Sequence, residues 1–222
     1  YMNFSVSEEN YIKSIYHLQQ ETGLVNTNSL AAEMQTKAAS VTDMLKKLST
    51  KKILQYEKYK GFKLTENGKK VALSVVRKHR LWEFFLVEKL GFEWDKVHDI
   101  AEELEHISSN ELIERLQEFL GSPLFDPHGD PIPDSNGKIP KLLQLNLPAL
   151  PINKTAVVSS VTNQSPQMLE MLKHYFIAIG TSIKVVKQFE FDGSLEIKVS
   201  KQPACIISEL IAKNIFVRYD DK

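Results

Sequence analysis

Histidine and glutamate recur at helical spacing in two stretches of the sequence. His79 and Glu83 are four residues apart, so on a helix they share one face. Four further donors follow at positions i, i+4, i+7 and i+8, again on one stripe of a helix: His98, Glu102, Glu105 and His106. Mixed imidazole and carboxylate donors suit manganese, ferrous iron or zinc, and do not suit calcium or copper(I). The spacing therefore predicts two helices that cross and enclose a cation between them.

Two other interpretations of these donors remain open. Any one of them alone would be assigned to a solvated polar face, but six donors on matched faces favour metal binding. A catalytic metal centre is the other alternative, because hydrolases and oxidases use the same donors. The sequence contains no nucleophile elbow, glycine-rich phosphate loop or paired catalytic carboxylate motif. We therefore expect a protein that is not an enzyme.

The elements that precede and carry these donors are mostly helical. Apolar residues at helical spacing predict helices over 7–23, from Thr27, and over 38–50, and the period then changes to two short strands that turn near Lys60 and Gly61. Helix, turn, helix and then a basic hairpin is the order of a winged helix-turn-helix domain. Amphipathic helices over 66–90 and 94–107 follow, and a third begins near Ser109.

The third helix and the hairpin are expected to bind double-stranded DNA. In a winged helix-turn-helix the third helix enters the major groove, and the hairpin reaches neighbouring phosphates. The residues expected to contact bases or phosphates are Thr36, Lys37, Ala39, Ser40, Thr42, Asp43 and Lys47 on the helix, and Lys58, Tyr59 and Lys60 on the hairpin. Lysine runs are often merely solvated. The strand pair directly after two closely spaced helices shifts the balance toward DNA.

The bulk composition narrows the class of protein. A chain of 222 residues exceeds the usual single domain, and two or three domains are expected. The formal net charge is +0, so any basic surface has to be local. The single cysteine, Cys205, excludes an internal disulfide framework and suits a reducing compartment. No apolar run approaches the roughly 18 residues of a membrane span, so a cytoplasmic protein without membrane contact is expected.

Several segments resemble one family closely. They are similar to the signature segments of the diphtheria-toxin-repressor and manganese-transport-regulator (DtxR/MntR) family of metal-dependent transcriptional repressors: 75–83, 103–108, 125–133, 11–16, 39–48 and 64–68. The likeness covers essentially the whole chain. It implies a multidomain, mainly α protein with an N-terminal winged helix-turn-helix, a helical dimerisation domain and a small C-terminal β-barrel of the FeoA, SH3-like type.

The proline distribution and this resemblance together set the expected domain boundaries. Seven of the nine prolines lie between residues 121 and 153, which is typical of a linker, and the pattern beyond is mostly strand-like. The expected domains are residues 1–70 for DNA binding, 71–140 for dimerisation and metal binding, 141–152 as linker, and 153–222 as the barrel.

The resemblance also implies two metal sites in each subunit. The regulatory site would use Asn10, Glu102, Glu105 and His106. The ancillary site would use His79, Glu83 and His98, with Asp126 and His128 at positions that also bind metal. The barrel would contribute a further oxygen ligand, from Asn163 or Glu170.

Three positions bear on which metal is sensed. Glu102 stands where iron-responsive members carry cysteine, and a hard carboxylate favours manganese. Asn10 stands where manganese sensors carry aspartate and iron sensors carry methionine. Lys13 stands where binuclear manganese sensors carry glutamate, which disfavours a bridged two-manganese centre. The expected cofactor is therefore Mn2+ or Fe2+, with Zn2+, Co2+ or Ni2+ as surrogates in vitro.

The predicted function follows from the resemblance and the donor pattern together. We expect a metal-activated repressor that binds palindromic operators as a homodimer and controls genes of metal uptake. Apolar residues between Trp82 and Leu120 would form the dimer surface. The alternative is a winged-helix transcription factor that senses an organic ligand, and a metalloenzyme is a weaker one.

Overall fold

A computed structural model describes residues 4–57, 61–140 and 144–219. Lys58, Tyr59 and Lys60, which the sequence assigned to the DNA-binding hairpin, lie outside the described residues. The chain forms two compact units. The first contains the described residues up to 79 together with 102–116 and 133–139, and the second contains 80–101, 117–132 and the described residues from 140 onward.

The first helix begins one residue earlier than the sequence pattern indicated. Helix α1 runs Val6–Thr22, and its N-cap is Ser5. The Ser5 hydroxyl accepts a hydrogen bond from the Glu8 backbone N–H at 3.3 Å, and the Glu8 carboxylate accepts one from the Ser5 N–H at 2.7 Å. This reciprocal capping box satisfies two backbone donors that a helix start leaves unpaired, which explains the earlier start.

The remaining DNA-binding elements follow the predicted order. Helix α2 is Thr27–Glu33 and helix α3 is Ala38–Thr50. Strands β1 (Leu54–Glu57) and β2 (Gly61–Leu64) form an antiparallel pair, which is the wing. Val41, Leu45 and Leu48 of α3 are buried in a core shared with the wing and α1. The predicted winged helix-turn-helix is confirmed.

Four helical elements follow the wing. Helix α4 is Glu66–Glu88, a short 3-10 helix is Trp94–Lys96, helix α5 is His98–Leu104 and helix α6 is Asn110–Phe119. The sequence predicted one helix over 94–107, but α5 ends at Leu104. Glu105 and His106 therefore occupy a turn and not the helical stripe that their spacing suggested. No helix among the described residues is both long and apolar enough to cross a membrane.

The C-terminal domain is built on a six-stranded antiparallel sheet with the order β3-β8-β4-β5-β6-β7. Its strands are β3 Leu145–Asn146, β4 Thr155–Val161, β5 Ser182–Gln188, β6 Leu195–Val199, β7 Cys205–Ile207 and β8 Ile215–Arg218. Helix α7 (Pro166–His174) packs on the sheet core through Met168, Leu169 and Leu172. The domain also contains a one-turn helix, α8 (Glu209–Ala212), which the mostly strand-like sequence pattern did not predict.

The segment expected to be a linker, 141–152, is partly built into this domain. Leu145 and Asn146 pair with β8, and a 3-10 helix follows at Leu147–Ala149. Leu147 and Leu150 are buried in the core of the sheet domain. The gain from burying these two leucines explains why the segment is ordered in spite of its prolines. Residues 141–143 lie outside the described part of the chain.

Candidate metal clusters and DNA-binding surface

The first unit brings together one imidazole and two carboxylates, here called the first cluster. His79 of α4, Glu102 of α5 and Glu105 of the following turn each offer a ligand atom, and these atoms lie within 4.8 Å of one another. His79 Nδ1 is 2.7 Å from Glu105 Oε2, and the Glu105 side chain is fully buried. A fully buried carboxylate is costly unless a positive charge or hydrogen-bond donors compensate it.

A lysine from α1 supplies positive charge to this cluster. Lys13 Nζ donates to Glu102 Oε1 at 2.5 Å and to both oxygens of Glu105, at 2.7 and 2.9 Å. The Lys13 side chain is only 12% exposed. The sequence identified Lys13 as a residue that disfavours a bridged two-manganese centre, but not as a partner of the candidate ligand carboxylates.

A second connection from α1 reaches His106. His106 Nδ1 is 2.6 Å from Glu9 Oε2, and His106 Nε2 is 3.6 Å from Glu105 Oε1. Glu9, which the sequence did not single out, therefore orients an imidazole beside the first cluster. Lys78 Nζ lies 3.9 Å from Glu9. Burial lowers the pKa of Lys78 below its ordinary value, although the carboxylates of Glu9 and Glu105 act in the opposite direction.

Asn10 meets one requirement of a metal ligand. Its side-chain oxygen Oδ1 is buried and accepts no hydrogen bond from any described residue. An unsatisfied buried acceptor is costly, and it is the kind of atom that a hard cation can satisfy. An amide oxygen, like the nitrogen and oxygen donors of the first cluster, is a ligand type that Mn2+ or Fe2+ accepts.

The second unit holds another group of donors, here called the second cluster: Glu83, Asp126 and His128. All three are buried, and their ligand atoms lie within 4.8 Å of one another. His128 Nε2 is 2.9 Å from the Trp94 carbonyl oxygen, which can only accept, so Nε2 carries the proton. The other ring nitrogen, Nδ1, makes no hydrogen bond with any described residue and lies 3.5 Å from Glu83 Oε2. An imidazole held through one N–H by a backbone carbonyl is typical of metal-ligating histidine.

The second cluster carries an excess of buried negative charge. The pKa of Asp126 is raised to about 7, first by burial and then by the nearby carboxylates of Asp130 and Glu83, against the opposing charges of Arg80 and His128. Burial lowers the pKa of His128, but the carboxylates of Glu83 and Asp126 outweigh burial and raise it above its ordinary value. Both shifts favour the protonated forms of these groups, and a divalent cation would favour the deprotonated ones.

The loop from Asp126 to Asp130 is fixed by its own hydrogen bonds and by the sheet. Asp126 Oδ1 accepts from the backbone N–H groups of His128 and Asp130, at 2.8 and 2.9 Å. Gly129 has φ +84°, and a Cβ on it would lie 1.9 Å from the Ser159 carbonyl oxygen. Only glycine combines that backbone angle with so close an approach to β4.

The structure places the other predicted ligands as follows. His98 is half exposed, and its Nδ1 lies 3.5 Å from Glu83 Oε1. Asn163 is exposed, and its Oδ1 accepts from the Ser165 N–H, whereas the neighbouring Gln164 donates to Asp130 at 2.9 Å. Glu170 is exposed on α7. The shared ancillary role of His79 with Glu83 and His98 stays a prediction.

The predicted DNA-binding residues on and just before α3, the recognition helix, are all exposed. Thr36 and Lys37 precede the helix, and Ala39, Ser40, Thr42, Asp43 and Lys47 lie on it. Lys37 is the N-cap of α3, and its side chain makes no capping hydrogen bond, so the first backbone N–H groups of the helix have no side-chain acceptor. Such a helix start suits a phosphate oxygen. On the opposite face, Val41 and Leu45 anchor α3 in the core.

Glu8 links α1 to the end of the recognition helix, and the sequence reasoning missed it. Its Oε1 lies 2.7 Å from Lys51 Nζ and 3.3 Å from Lys47 Nζ, and its side chain is almost fully buried. The pKa of Glu8 is lowered to about 2, because the lysines and the Ser5 N–H outweigh the opposing effect of burial. The capping signature, serine followed three residues later by glutamate, could have identified it.

Fold and donor sets together define a winged-helix DNA-binding protein whose helical middle region carries metal-ligand clusters. Comparison with known families agrees. Three family models match the chain. The iron dependent repressor N-terminal DNA binding domain matches residues 3–62, and the iron dependent repressor metal binding and dimerisation domain matches 65–134. The FeoA domain matches 145–219.

Individual relatives and solved structures support the same assignment. The HTH-type transcriptional regulator MntR of Oceanobacillus iheyensis is 37% identical over 114 residues, which are 51% of this chain and 77% of that protein. The iron-dependent repressor IdeR of Mycobacterium tuberculosis is 32% identical over 125 residues, which are 56% of this chain and 54% of that protein. A manganese-dependent transcriptional repressor in complex with manganese has a TM-score of 0.84 at 32% identity, covering 95% of this chain and 98% of that one.

The chain belongs to the DtxR/MntR family of metal-dependent transcriptional repressors. The resemblance and the fold class inferred from the sequence are thereby confirmed. The matched region spans about half the length of the mycobacterial IdeR repressors.

Proposed function

We propose that this protein is a metal-activated transcriptional repressor that binds palindromic operator DNA as a homodimer and controls genes of metal uptake. One observation carries the proposal. Helix α1 of the DNA-binding domain is bonded directly to the candidate metal ligands, through Lys13 to Glu102 and Glu105 and through Glu9 to His106. Metal binding at these ligands would therefore act directly on α1, which is part of the DNA-binding domain.

The chain's own residues would hold the metal at the junction of α1 and the turn after α5. Asn10 would contribute its unsatisfied oxygen, Glu102 and Glu105 their carboxylates, and His106 an imidazole oriented by Glu9. His79 is close enough to Glu105 to belong to the same group. When bound, a divalent cation supplies positive charge that ligands from both elements share.

Glu8 supports a physical route from this junction to the recognition helix. It lies two residues before Asn10 on α1, and it forms ion pairs with Lys47 of α3 and Lys51 directly after α3. Fixing α1 would therefore fix α3. Two recognition helices of a dimer can then match successive major grooves about 34 Å apart. Preferential metal binding to this DNA-competent form would activate the repressor, and DNA would in turn raise metal affinity.

We propose a second metal site formed by Glu83, Asp126 and His128, beside the half-exposed His98. Mn2+ or Fe2+ suits both donor sets, because each set contains two carboxylates and one imidazole. Zn2+, Co2+ and Ni2+ would act as surrogates in vitro. One similar structure is named for manganese and one relative is named for iron, and these donors are compatible with both metals.

Exposed apolar side chains in the second unit support self-association. They are Leu90, Phe92, Phe119 and Leu124. A family model named for dimerisation covers these positions. We propose that the sheet domain begins near residue 145, inside the segment expected to be a linker, and that the other domain boundaries lie where the sequence placed them. We also propose no enzymatic activity and a cytoplasmic location, with which the lone free Cys205 is consistent.

A duplex selected from a random library in the presence of Mn2+ provides the test. Its binding to the full chain is measured by fluorescence anisotropy with Mn2+, with anaerobic Fe2+, with Zn2+ and with chelator. The variant Glu105→Gln removes a buried ligand, and Glu103→Gln is the matched control, because Glu103 is an exposed neighbour on α5. We expect metal to raise affinity at least about 30-fold, within the usual range of coupling between sites. Glu105→Gln should abolish that gain and Glu103→Gln should keep it.

The same titration separates the alternatives. Equal DNA binding with metal and with chelator would favour a sensor of an organic ligand. Metal binding without selection of any duplex would favour a metalloenzyme. Metal-dependent DNA binding that survives in Glu105→Gln would contradict the assignment of the first cluster.

A further inference from the structure

We propose that Lys13 is a built-in cation of the regulatory site, which compensates Glu102 and Glu105 when no metal is bound and competes with the metal for them. The inference rests on the proposed function and deepens it, because it concerns how that site is regulated. In this proposal, Lys13 sets the metal concentration at which the site becomes occupied.

The geometry is that of an ammonium in a cation position. Lys13 Nζ has three carboxylate oxygens within 2.9 Å, one from Glu102 and two from Glu105. Those two residues also belong to the group whose ligand atoms lie within 4.8 Å of one another. A divalent cation that uses the same oxygens cannot bind while the ammonium remains between them, so the two occupants exclude each other.

Burial makes the compensation necessary. The Glu105 side chain is fully buried and Lys13 is only 12% exposed, so water cannot solvate the carboxylate in place of the lysine. The neighbouring Lys78 does not make the same contact, since its Nζ is 3.9 Å from Glu9 and hydrogen-bonds weakly to the Ile107 carbonyl at 3.5 Å. Lys13 thus contacts both carboxylates directly, and Lys78 does not.

Two consequences follow for the metal-free protein. Its ligands are already gathered and charge-compensated, so it is stable without metal. Its metal affinity is lower than the ligands alone would give, because each binding event must displace an ammonium from short ion pairs and leave that charge nearby. Removing the charge should therefore lower metal-free stability and raise metal affinity, which is an unusual pair of effects for one substitution.

The test uses the full chain and the variants Lys13→Met and Lys13→Gln, with Lys69→Met as the matched control. Lys69 pairs with Glu66 at 2.8 Å on an exposed helix face, so the control removes a lysine–glutamate pair elsewhere. Thermal unfolding is measured in chelator, and Mn2+ affinity and stoichiometry by isothermal titration. The double variant Lys13→Met with Glu105→Gln completes a mutant cycle in the metal-free protein.

We expect Lys13→Met and Lys13→Gln to lower the metal-free Tm and to bind Mn2+ about tenfold more tightly at one of the sites, from the charge interaction at short range. Lys69→Met should change neither property. The double variant should regain part of the lost Tm, because the uncompensated carboxylate is gone.

The contrary results are distinct. Unchanged or weaker Mn2+ binding in both Lys13 variants overturns the competition, and if Mn2+ still activates DNA binding the proposed function stands. A double variant less stable than Lys13→Met overturns the charge compensation. If wild type and variants alike bind neither Mn2+ nor, under anaerobic conditions, Fe2+, this inference and the proposed function are overturned together.

Discussion

The two clusters use similar donors but differ in how their buried charge is compensated. In the first cluster a lysine ammonium contacts both carboxylates at hydrogen-bond distance. In the second cluster Arg80 Nε lies 3.5 Å from Asp126 Oδ2, and burial still raises the pKa of that carboxyl to about 7. Within the part of the chain that the structure describes, His128 Nδ1 makes no hydrogen bond, whereas His79 and His106 each contact a carboxylate within 2.7 Å.

This difference suggests different roles for the two sites. A metal entering the second cluster displaces only protons, so that site should fill at lower metal concentration and remain filled. A metal entering the first cluster must displace Lys13, so that site should respond at higher concentration. A sensor benefits from such a division, because the responsive site then lies next to the DNA-binding helix.

The largest expected effect concerns the loop that carries two ligands of the second cluster. Gly129→Ala adds a Cβ at 1.9 Å from the Ser159 carbonyl in a left-handed backbone conformation, and should destabilise the chain by about 4 kcal/mol. Gly121→Ala is the control: its φ is +76° but nothing lies within 4 Å, so only strain of about 1 kcal/mol remains. Urea unfolding measures both, and equal losses would contradict the close packing of the loop.

The next effect separates the clusters by stoichiometry. His128→Ala removes the one imidazole of the second cluster and should weaken Mn2+ there about 100-fold while the first cluster still binds. Isothermal titration should show the tighter of two classes lost. His174→Ala, on an exposed part of α7, is the control. Loss of the weaker class instead would reverse the comparison of the two sites.

Glu8 tests the connection from the first cluster's helix to the recognition helix. Its folded pKa, about 2, is below the ordinary 4.5, so its stabilising effect is fully present above pH 4.5 and is lost as the pH falls from 4.5 to 2. Glu8→Gln should cost about 2 kcal/mol at pH 7, less than the full shift implies, because Lys47 and Lys51 are partly exposed and screened.

Stability is measured by urea unfolding from pH 7 down to pH 3. The wild type should lose its advantage over Glu8→Gln toward the acid end. A difference between the two proteins that does not change with pH would mean that the Glu8 ion pairs contribute little.

The smallest effect is a pH dependence limited to the second cluster. Asp126, with its pKa raised to about 7, must lose its proton to bind metal, so Mn2+ affinity there should rise about fivefold from pH 6 to 7, about twofold more by pH 8, and level off above. Titrations in buffers of different ionisation enthalpy should detect the released proton. Its absence, or the same pH dependence in Asp126→Asn, would contradict the assignment.

Much of this molecule could be predicted from local patterns. Apolar spacing predicted α3 and its buried face, and the donor spacing predicted that Glu102 and Glu105 would act together. The contacts of Lys13 and Glu9 could not be predicted, because their partners are 89 to 97 residues away and no local pattern reports such a distance. Glu105 was expected on a helix, but α5 ends at Leu104, and the turn sets where that carboxylate lies.

The sequence by itself determined the elements and the types of ligand available, because helix and strand periods and donor chemistry are local properties of residues. Only the tertiary structure decided which ligands share a cluster and which charge compensates each one. The physical reason is burial. Once Glu105 and Asp126 are removed from water, their charge is stabilised or destabilised by the groups that the packed chain places within a few ångströms. Lys13 beside one and Arg80 beside the other make two sites of similar composition chemically different.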